Sequence, residues 1–328
     1  MNLPRITVVT PSFNQGHLIE ETINSILDQN YPNLEYIVID GGSTDATLEV
    51  IKKYEHKIDY WTSETDGGQS EAINKGLRRA TGDIVTWLNS DDLFLPDVLQ
   101  TVARYFNEYD AALIHGRTVL FGNGTKELIK GAEDDDLEVR YLSGMAFPQP
   151  SSFFKKRVLD EQGVLDESLH YGMDYDLMVK IALNYCMLKV DDVFSRYRLH
   201  GESKTVAQNI RFAYDWAKVF SKVLRSFDFT ADLIEHMRAL ELYVEGRDYY
   251  RVTKRFSPAD IRKAFLHFLD FQVIWYYGNL DMKKTVRISM FVKDYEPQFY
   301  KLRGLATPHR RSKLLGKSGI KFLRTFTR

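Results

Sequence analysis

Leu34-Glu35-Tyr36-Ile37-Val38-Ile39-Asp40-Gly41-Gly42-Ser43-Thr44-Asp45 is the stretch that decides the fold. Its first six residues form a short apolar run of strand composition, and Asp40-Gly41-Gly42 cuts the run off. Ser43 or Thr44 then caps a helix carrying Leu48, Ile51 and Lys52. On the N-terminal side lies a similar unit. Ile6-Thr7-Val8-Val9-Thr10 is a strand closed by Pro11, and Leu18, Ile19, Thr22, Ile23, Ile26 and Leu27 recur at helical spacing up to Asn30-Tyr31-Pro32. On the C-terminal side the alternation continues. Ile58–Thr62 reads as a third strand, a helix through Ala72, Ile73, Leu77 and Ala80 stops at Gly82, and Asp83–Leu88 is a fourth strand. Strand–helix alternation of this kind predicts an α/β, Rossmann-like, mainly parallel central sheet with helices on both faces.

The chain has 328 residues, with 44 % hydrophobic and 27 % charged, which excludes wholesale disorder and leaves room for more than one domain. One cysteine, Cys186, excludes an intrachain disulfide framework and any multi-cysteine metal site, and reads as a buried, inert thiol. Met1-Asn2-Leu3-Pro4-Arg5 runs straight into a strand pattern without an apolar leader, and no apolar run is long enough to span a bilayer. These features predict a cytoplasmic protein. The net charge of −1 conceals an asymmetry: no Asp or Glu follows Glu296, and the nine Lys and Arg beyond it leave residues 1–296 at −10. An acidic body opposes nucleic acid as a partner.

In open parallel sheets, ligands bind beyond the carboxyl ends of the strands, where loops and helix N-termini converge. Four polar clusters fall there: Pro11–Gln15, Asp40–Asp45, Glu64–Gln69 and Asn89-Ser90-Asp91-Asp92. Any one of them taken singly reads better as a turn. Four on one edge point to a site. No G-x-G-x-x-G follows the first strand and no Gly-Lys-Ser/Thr phosphate loop is present. The adjacent Asp91 and Asp92 offer another way to hold phosphate, through a divalent cation such as Mg²⁺ or Mn²⁺ that takes one or two carboxylates and completes its shell with phosphate oxygens.

The segments Thr10-Pro11-Ser12-Phe13-Asn14, Asp40–Asp45, Asp66-Gly67-Gly68-Gln69-Ser70-Glu71-Ala72-Ile73-Asn74-Lys75-Gly76 and Leu88–Asp92, in that order, resemble the family 2 inverting glycosyltransferases of GT-A fold. The resemblance covers about residues 4–205. It implies a nucleotide-diphosphate sugar as donor, UDP-sugar favoured, and a glycan or lipid-linked hydroxyl as acceptor, in the assembly of a cell-surface polysaccharide or glycan. Thr10, Pro11, Ser12 and Asn14 would lie along the nucleotide, and Asp40 would accept from its base or ribose. Asp66, Gly67, Gln69 and Asn74 would line its approach. Asp91 would face the ribose or the metal, and Asp92 would ligate the metal. Asp174, in Tyr171-Gly172-Met173-Asp174-Tyr175-Asp176, matches the catalytic base, with Asp176 as the alternative; both also suit a helix start. Pro148–Phe154 resembles the floor of an acceptor site. Arg196–Thr205 resembles a segment closing over the diphosphate, where His200 would meet metal or pyrophosphate, or serve only packing.

Between these motifs, Ala111–His115 and Thr118–Phe121 predict strands, with a hairpin turn at Gly122-Asn123-Gly124, and Met187–Val190 with Val193–Leu199 predict a strand pair. From about Val206 the spacing is helical, so the expected division is a GT-A domain at 1–205 and a helical region with a basic tail at 206–328. In that tail Leu314, Leu315 and Ile320 interleave with cations, as in a helix lying on an anionic membrane or in a solvated terminus. Two rival functions stand beside the transferase. A sugar nucleotidyltransferase would need a basic glycine-rich loop after the first strand, which Thr10–Asn14 is not. A non-catalytic nucleotide-sugar-binding or assembly module would bind without turnover.

Overall fold

Three of the apolar runs of the first hundred residues become strands buried on both sides, as parallel strands covered by helices must be, and the one at Tyr60–Ser63 becomes a half-buried edge strand. A computed structural model describes residues 3–122, 124, 126–133, 135–201, 203–204 and 209–325. These residues form two compact units: residues up to 135 with 145–203, and 136–144 with 204 onward. The segment 205–208, Asn123 of the expected hairpin turn, and Glu202 and Thr205 of the expected closing segment lie outside the described residues.

In the first unit, strands β1 (Ile6–Ser12), β2 (Leu34–Asp40), β3 (Tyr60–Ser63) and β4 (Ile84–Trp87) lie parallel in the order β3-β2-β1-β4. Helices α1 (Ile19–Leu27), α2 (Thr47–Tyr54) and α3 (Gln69–Arg79) connect them. Side chains alternate across the sheet. Val8 joins Ile6, Tyr36 and Val38 in a cluster with Ile19, Ile23 and Ile26 of α1 and Ile51 of α2, whereas Val9, one residue on, meets Gly76 of α3. The helices therefore cover both faces. The register brings three strand ends together: Ser12 pairs with Asp40, and Asp40 with Ser63.

Beyond β4 the sheet changes character. After β5 (Leu93–Phe94) and helix α4 (Val98–Glu108), β6 (Leu113–Phe121) and the short β7 (Leu128–Lys130) form an antiparallel pair. Strand β8 (Ser152–Lys155) is antiparallel to both β4 and β6, β9 (Met187–Arg198) is parallel to β6, and β5 is antiparallel to β9. Among the described residues the sheet is mixed and nine-stranded, parallel through β1–β4 and again between β6 and β9, with antiparallel pairs at β8, β7 and β5. Helices α6 (Lys156–Gln162) and α7 (Met173–Ala182) complete the unit.

Three local expectations are corrected. Pro11 does not close β1, because Ser12 still accepts from the Gly41 N–H at 2.8 Å and carries the ladder one residue further. The strand pair expected over 187–199 is the single strand β9, whose register slips against β6 between His115 and Arg117. There Gly116, without a side chain, lets the Asp192 carbonyl come close, and Arg117 and Tyr105 bind Asp191 and Asp192, so the acidic pair bulges instead of turning. Cys186 is exposed rather than buried, since it enters β9 from the end of α7 and is tied only by its carbonyl, which accepts from Ala112 N–H at 2.9 Å.

The second unit is helical: α5 (Leu137–Arg140), α8 (Asn209–Arg225), α9 (Ala231–Ala239), α10 (Pro258–Gly278), α11 (Met282–Tyr295), α12 (Pro297–Leu302) and α13 (Ala306–Thr325). Helix α10 begins with Pro258 in its first turn and a reciprocal Ser257–Asp260 capping box. Its Phe268 stacks on Phe220 of α8 at 4.3 Å between ring centroids. Buried Asp270 takes Arg303 at 2.8 Å. No helix among the described residues is long and apolar enough to cross a membrane.

Candidate active site

Loops 13–16 and 41–46, after β1 and β2, are laced together by their own polar groups. Asn14, at φ 52°, donates its N–H to Ser43 Oγ at 2.7 Å and accepts from Thr44 N–H at 2.9 Å. Gly16 N–H reaches Asp45 Oδ2 at 2.9 Å. Helix α2 is capped by neither Ser43 nor Thr44. The Asp45 carboxylate accepts from Thr47 N–H at 3.0 Å, and Ser43 serves the loop. Asp40 Oδ2 accepts from Gly42 N–H (3.1 Å), Ser43 N–H (2.9 Å) and Ser63 Oγ (2.6 Å), while its Oδ1 accepts from Ser43 Oγ. This carboxylate is thus filled by donors of its own surroundings. Pro11 and Ser12 end β1, and the buried Ser12 hydroxyl has no hydrogen-bond partner among the described residues. Thr10 lies inside the sheet, accepting from Tyr36 Oη at 3.2 Å.

The third loop joins the second because Gly41 has no side chain: a Cβ there would lie 3.1 Å from the Asp66 carboxylate. Burial pushes Asp66 above the usual carboxylate range, against the Gly68 N–H that it accepts at 2.8 Å. Gly67 N–H donates to Glu71 at 2.7 Å. Gln69, the first residue of α3, donates to Asn89 Oδ1 at 2.8 Å and so reaches the fourth loop. Asn74 turns elsewhere. Buried in α3, it donates to Leu165 O at 2.9 Å and Glu167 at 2.8 Å and accepts from Leu165 N–H at 3.0 Å, clamping the segment that leads into α7.

At the fourth loop Asp92 is 1 % exposed. Its Oδ1 accepts from Arg198 N–H at 3.0 Å, and the Asn89 amide stands 3.4 Å from its Oδ2. Burial, reinforced by the neighbouring Asp91 charge, pushes its carboxyl well above the usual range. Asp91 is more open and lies 2.9 Å from His200 Nε2. Arg198 fastens the loop from outside, donating to Asp91 O at 3.0 Å and pairing with Glu21 at 2.6 Å.

Asp174 stands in the first turn of α7, where its Oδ1 accepts from Tyr175 N–H at 2.8 Å. The alternative, Asp176, is buried and lies 2.7 Å from Lys180, which directs it into the protein. Helix α7 abuts α3 through Ser70, whose hydroxyl lies 2.9 Å from Met173 Sδ, next to Asp174. A continuous series of contacts therefore runs Asp92–Asn89–Gln69, then Ser70–Met173–Asp174. Asn89 and Ser70 were not singled out from sequence, although both sit inside the quoted motifs. As an uncharged amide and a hydroxyl they carry no signal until their neighbours are known.

A sheet of this order, with helices on both faces and four polar loops at its strand ends, has the GT-A fold. The sequence profile described as Glycosyl transferase family 2 matches residues 7–169. The chain belongs to that family. An uncharacterized glycosyltransferase of Rickettsia typhi is 29 % identical over 62 % of this chain and 66 % of its own length. The putative teichuronic acid biosynthesis glycosyltransferase TuaG of Bacillus subtilis is 36 % identical over 37 % of this chain and 50 % of its own. Among solved structures, S. aureus TarS residues 1–349 in complex with UDP-GlcNAc superposes with a TM-score of 0.60 at 17 % identity, covering 94 % of this chain and 92 % of that one. A mannosyltransferase from Pyrobaculum calidifontis with GDP-Man and Mn²⁺ gives 0.56 at 17 %, covering 96 % and 88 %.

Proposed function

We propose that this chain transfers a sugar, with inversion, from a UDP-sugar to a hydroxyl of a glycan or lipid-linked acceptor during assembly of a cell-surface polysaccharide. The observation that carries the reading is the series of contacts joining the acidic loop at Asp91-Asp92 to Asp174. The reading takes the acidic loop as the phosphate-facing end and Asp174 as the proton-accepting end, and the contacts support it by keeping both in one unit. The donor class is supported by the likeness to TarS in complex with UDP-GlcNAc, and polysaccharide assembly by the similarity to the putative teichuronic acid biosynthesis glycosyltransferase TuaG.

In this reading the nucleotide lies along Pro11, Ser12 and loops 13–16 and 41–46. The buried Ser12 hydroxyl, which lacks a partner among the described residues, would bond the nucleotide, and Asp40 would keep the turn in shape. Asp66 and the loop at Gly67 would close one side. The acceptor hydroxyl attacks the anomeric carbon; a C–O bond forms to it, the bond to the donor phosphate oxygen breaks, and the proton passes to Asp174. The nucleoside diphosphate leaves with the electron pair.

No group of three or more His, Cys, Asp or Glu among the described residues is arranged to hold a metal ion by itself, so a divalent cation here would enter with the donor's phosphates. Two adjacent carboxylates, one of them pushed far up by burial and its neighbour, form the donor set whose mutual repulsion a dication relieves, with His200 beside Asp91. Asp92 would ligate such an ion, with Asp91 facing it or the ribose, and phosphate oxygens completing its shell. Such an ion supplies neutralisation of the charge gathering on the departing diphosphate.

The test is a panel of UDP-, GDP- and dTDP-sugars with Mn²⁺, read by thermal shift and by release of nucleoside diphosphate. UDP-sugars should give the largest shift. Asp92→Ala should lose the metal-dependent part of binding. Asp174→Asn should keep it and lose about 10²–10⁴-fold in turnover. Equal loss of donor binding in both variants would defeat the assignment of roles. Wild-type binding without turnover on any acceptor would favour the non-catalytic module.

A further inference from the structure

Helix α13 is anchored on one side and bare on the other. Leu305, Ser312 and Ile320 are buried, and Tyr300 Oη meets His309 Nδ1 at 2.9 Å. Spacings of four, three and four residues place Arg310, Leu314, Lys317 and Lys321 in one stripe on the opposite side. All four are exposed, Leu314 at 73 %, with Arg311, Lys313 and Leu315 exposed beside them. Leu302 of α12 is 81 % exposed. Arg303, by contrast, is tied to buried Asp270. None of Arg310, Arg311, Lys313, Lys317 and Lys321 pairs with a carboxylate among the described residues, and the sequence offers no acidic residue after Glu296. Beside it, Lys317 of α13 and Lys283 of α11 line a recess together with Asp281, Asn279 and the apolar Ile210, Leu280 and Met282.

We infer that this face of the helical unit binds the surface of an anionic lipid bilayer, with Arg310, Lys317 and Lys321 at the headgroups and Leu314 inserted between them. Charge complementarity selects an anionic partner. The exposed leucines select a bilayer over nucleic acid, which would take the cations and give the leucines nothing. The inference is independent of the catalytic reading, since it uses no residue of the first unit.

The test is co-sedimentation of the full chain with phosphatidylglycerol vesicles and with phosphatidylcholine vesicles, at low and physiological salt. The wild type should bind the anionic vesicles, more weakly as salt rises, and leave the neutral ones unbound. A lysine or arginine near an anionic surface strengthens partitioning about fivefold, so Arg310→Gln/Lys317→Gln/Lys321→Gln should lose about a hundredfold. Leu314→Ser should lose about tenfold and remove most of what survives at high salt. Circular dichroism should be unchanged in both variants, as every substituted side chain is exposed. Equal binding of wild type and triple variant overturns the inference. So does equal binding to neutral vesicles, and so does tighter binding of the wild type to duplex DNA than to anionic vesicles at the same salt.

Discussion

Glu35 carries a cost that its neighbours must offset: it is a largely buried carboxylate within a parallel sheet. Its oxygens accept from Thr7 Oγ1, from Thr81 N–H and Oγ1, both at 2.7 Å, and from Arg5 at 3.2 Å. Burial alone would raise its pKa, but these donors together outweigh burial and hold it below its ordinary value of 4.5. A carboxylate depressed on folding contributes stability above its unfolded pKa and loses that contribution as pH falls through the folded one. Glu35→Gln should therefore cost about 1–3 kcal/mol at pH 7 by urea denaturation. The gap to wild type should narrow as pH drops below about 4.5. A gap that stays constant from pH 7 into the acid range would mean that the charge contributes nothing. Sequence displayed Glu35 only as a polar interruption in a strand; its partners come from residues 5, 7 and 81, which no local pattern connects.

At the scale of elements, the contact that fixes α3 on the sheet is Gly76 on Val9. A Cβ at Gly76 would lie 2.3 Å from Val9 Cγ1, so the helix sits as close as a bare backbone allows. Gly76→Ala gains about 1 kcal/mol of helix propensity. Overpacking against β1 costs about 1–3 kcal/mol, so net destabilisation is expected. Val9→Ala should be destabilising alone, yet the double variant should be less damaged than the sum of the two singles. Additivity in that cycle would show that the two residues do not meet in solution. Since α3 presents Gln69 and Ser70 to the acidic loop and to α7, Gly76→Ala should also lower turnover if the helix shifts. The parallel half of the sheet was legible because each strand is a continuous apolar run followed by a turn and a helix. In the second half the strands β6 and β9 were legible as apolar runs but their pairing was not, since β5 is two residues long and β9 takes its register from a bulge against Gly116, and long-range pairing leaves no periodic trace. Helix α2 was placed correctly and its cap misassigned, because Ser43, Thr44 and Asp45 are all good caps in isolation.

Across the whole molecule, near-neutral charge is the difference between an acidic body and a run of basic residues beyond Glu296. That division separates two kinds of legibility. The candidate site was readable as four loops, since turn-forming acids and amides at strand ends have few other reasons to recur. What each side chain does was not readable. Thr10 and Asn74 face into the protein, Asp40 is occupied by its own turn, and Ser12 alone of the β1 end keeps a buried hydroxyl without a partner among the described residues. Those differences are set by pairings between residues tens of positions apart. They lead to a prediction that treats the loops as one surface. Because loops 13–16, 41–46, 64–69 and 89–92 are joined by hydrogen bonds from Asn14 to Ser43 and from Gln69 to Asn89, and by the close packing of Asp66 on Gly41, a bound donor should slow amide exchange in all four together. With a UDP-sugar and Mn²⁺ at about a hundred times Kd, exchange through donor-excluding openings should slow by up to about a hundredfold, measured by hydrogen–deuterium exchange with mass spectrometry. Protection at 89–92 without any at 13–16 and 41–46 would mean that only the diphosphate end engages this edge, and the nucleotide placement along β1 and β2 would be wrong.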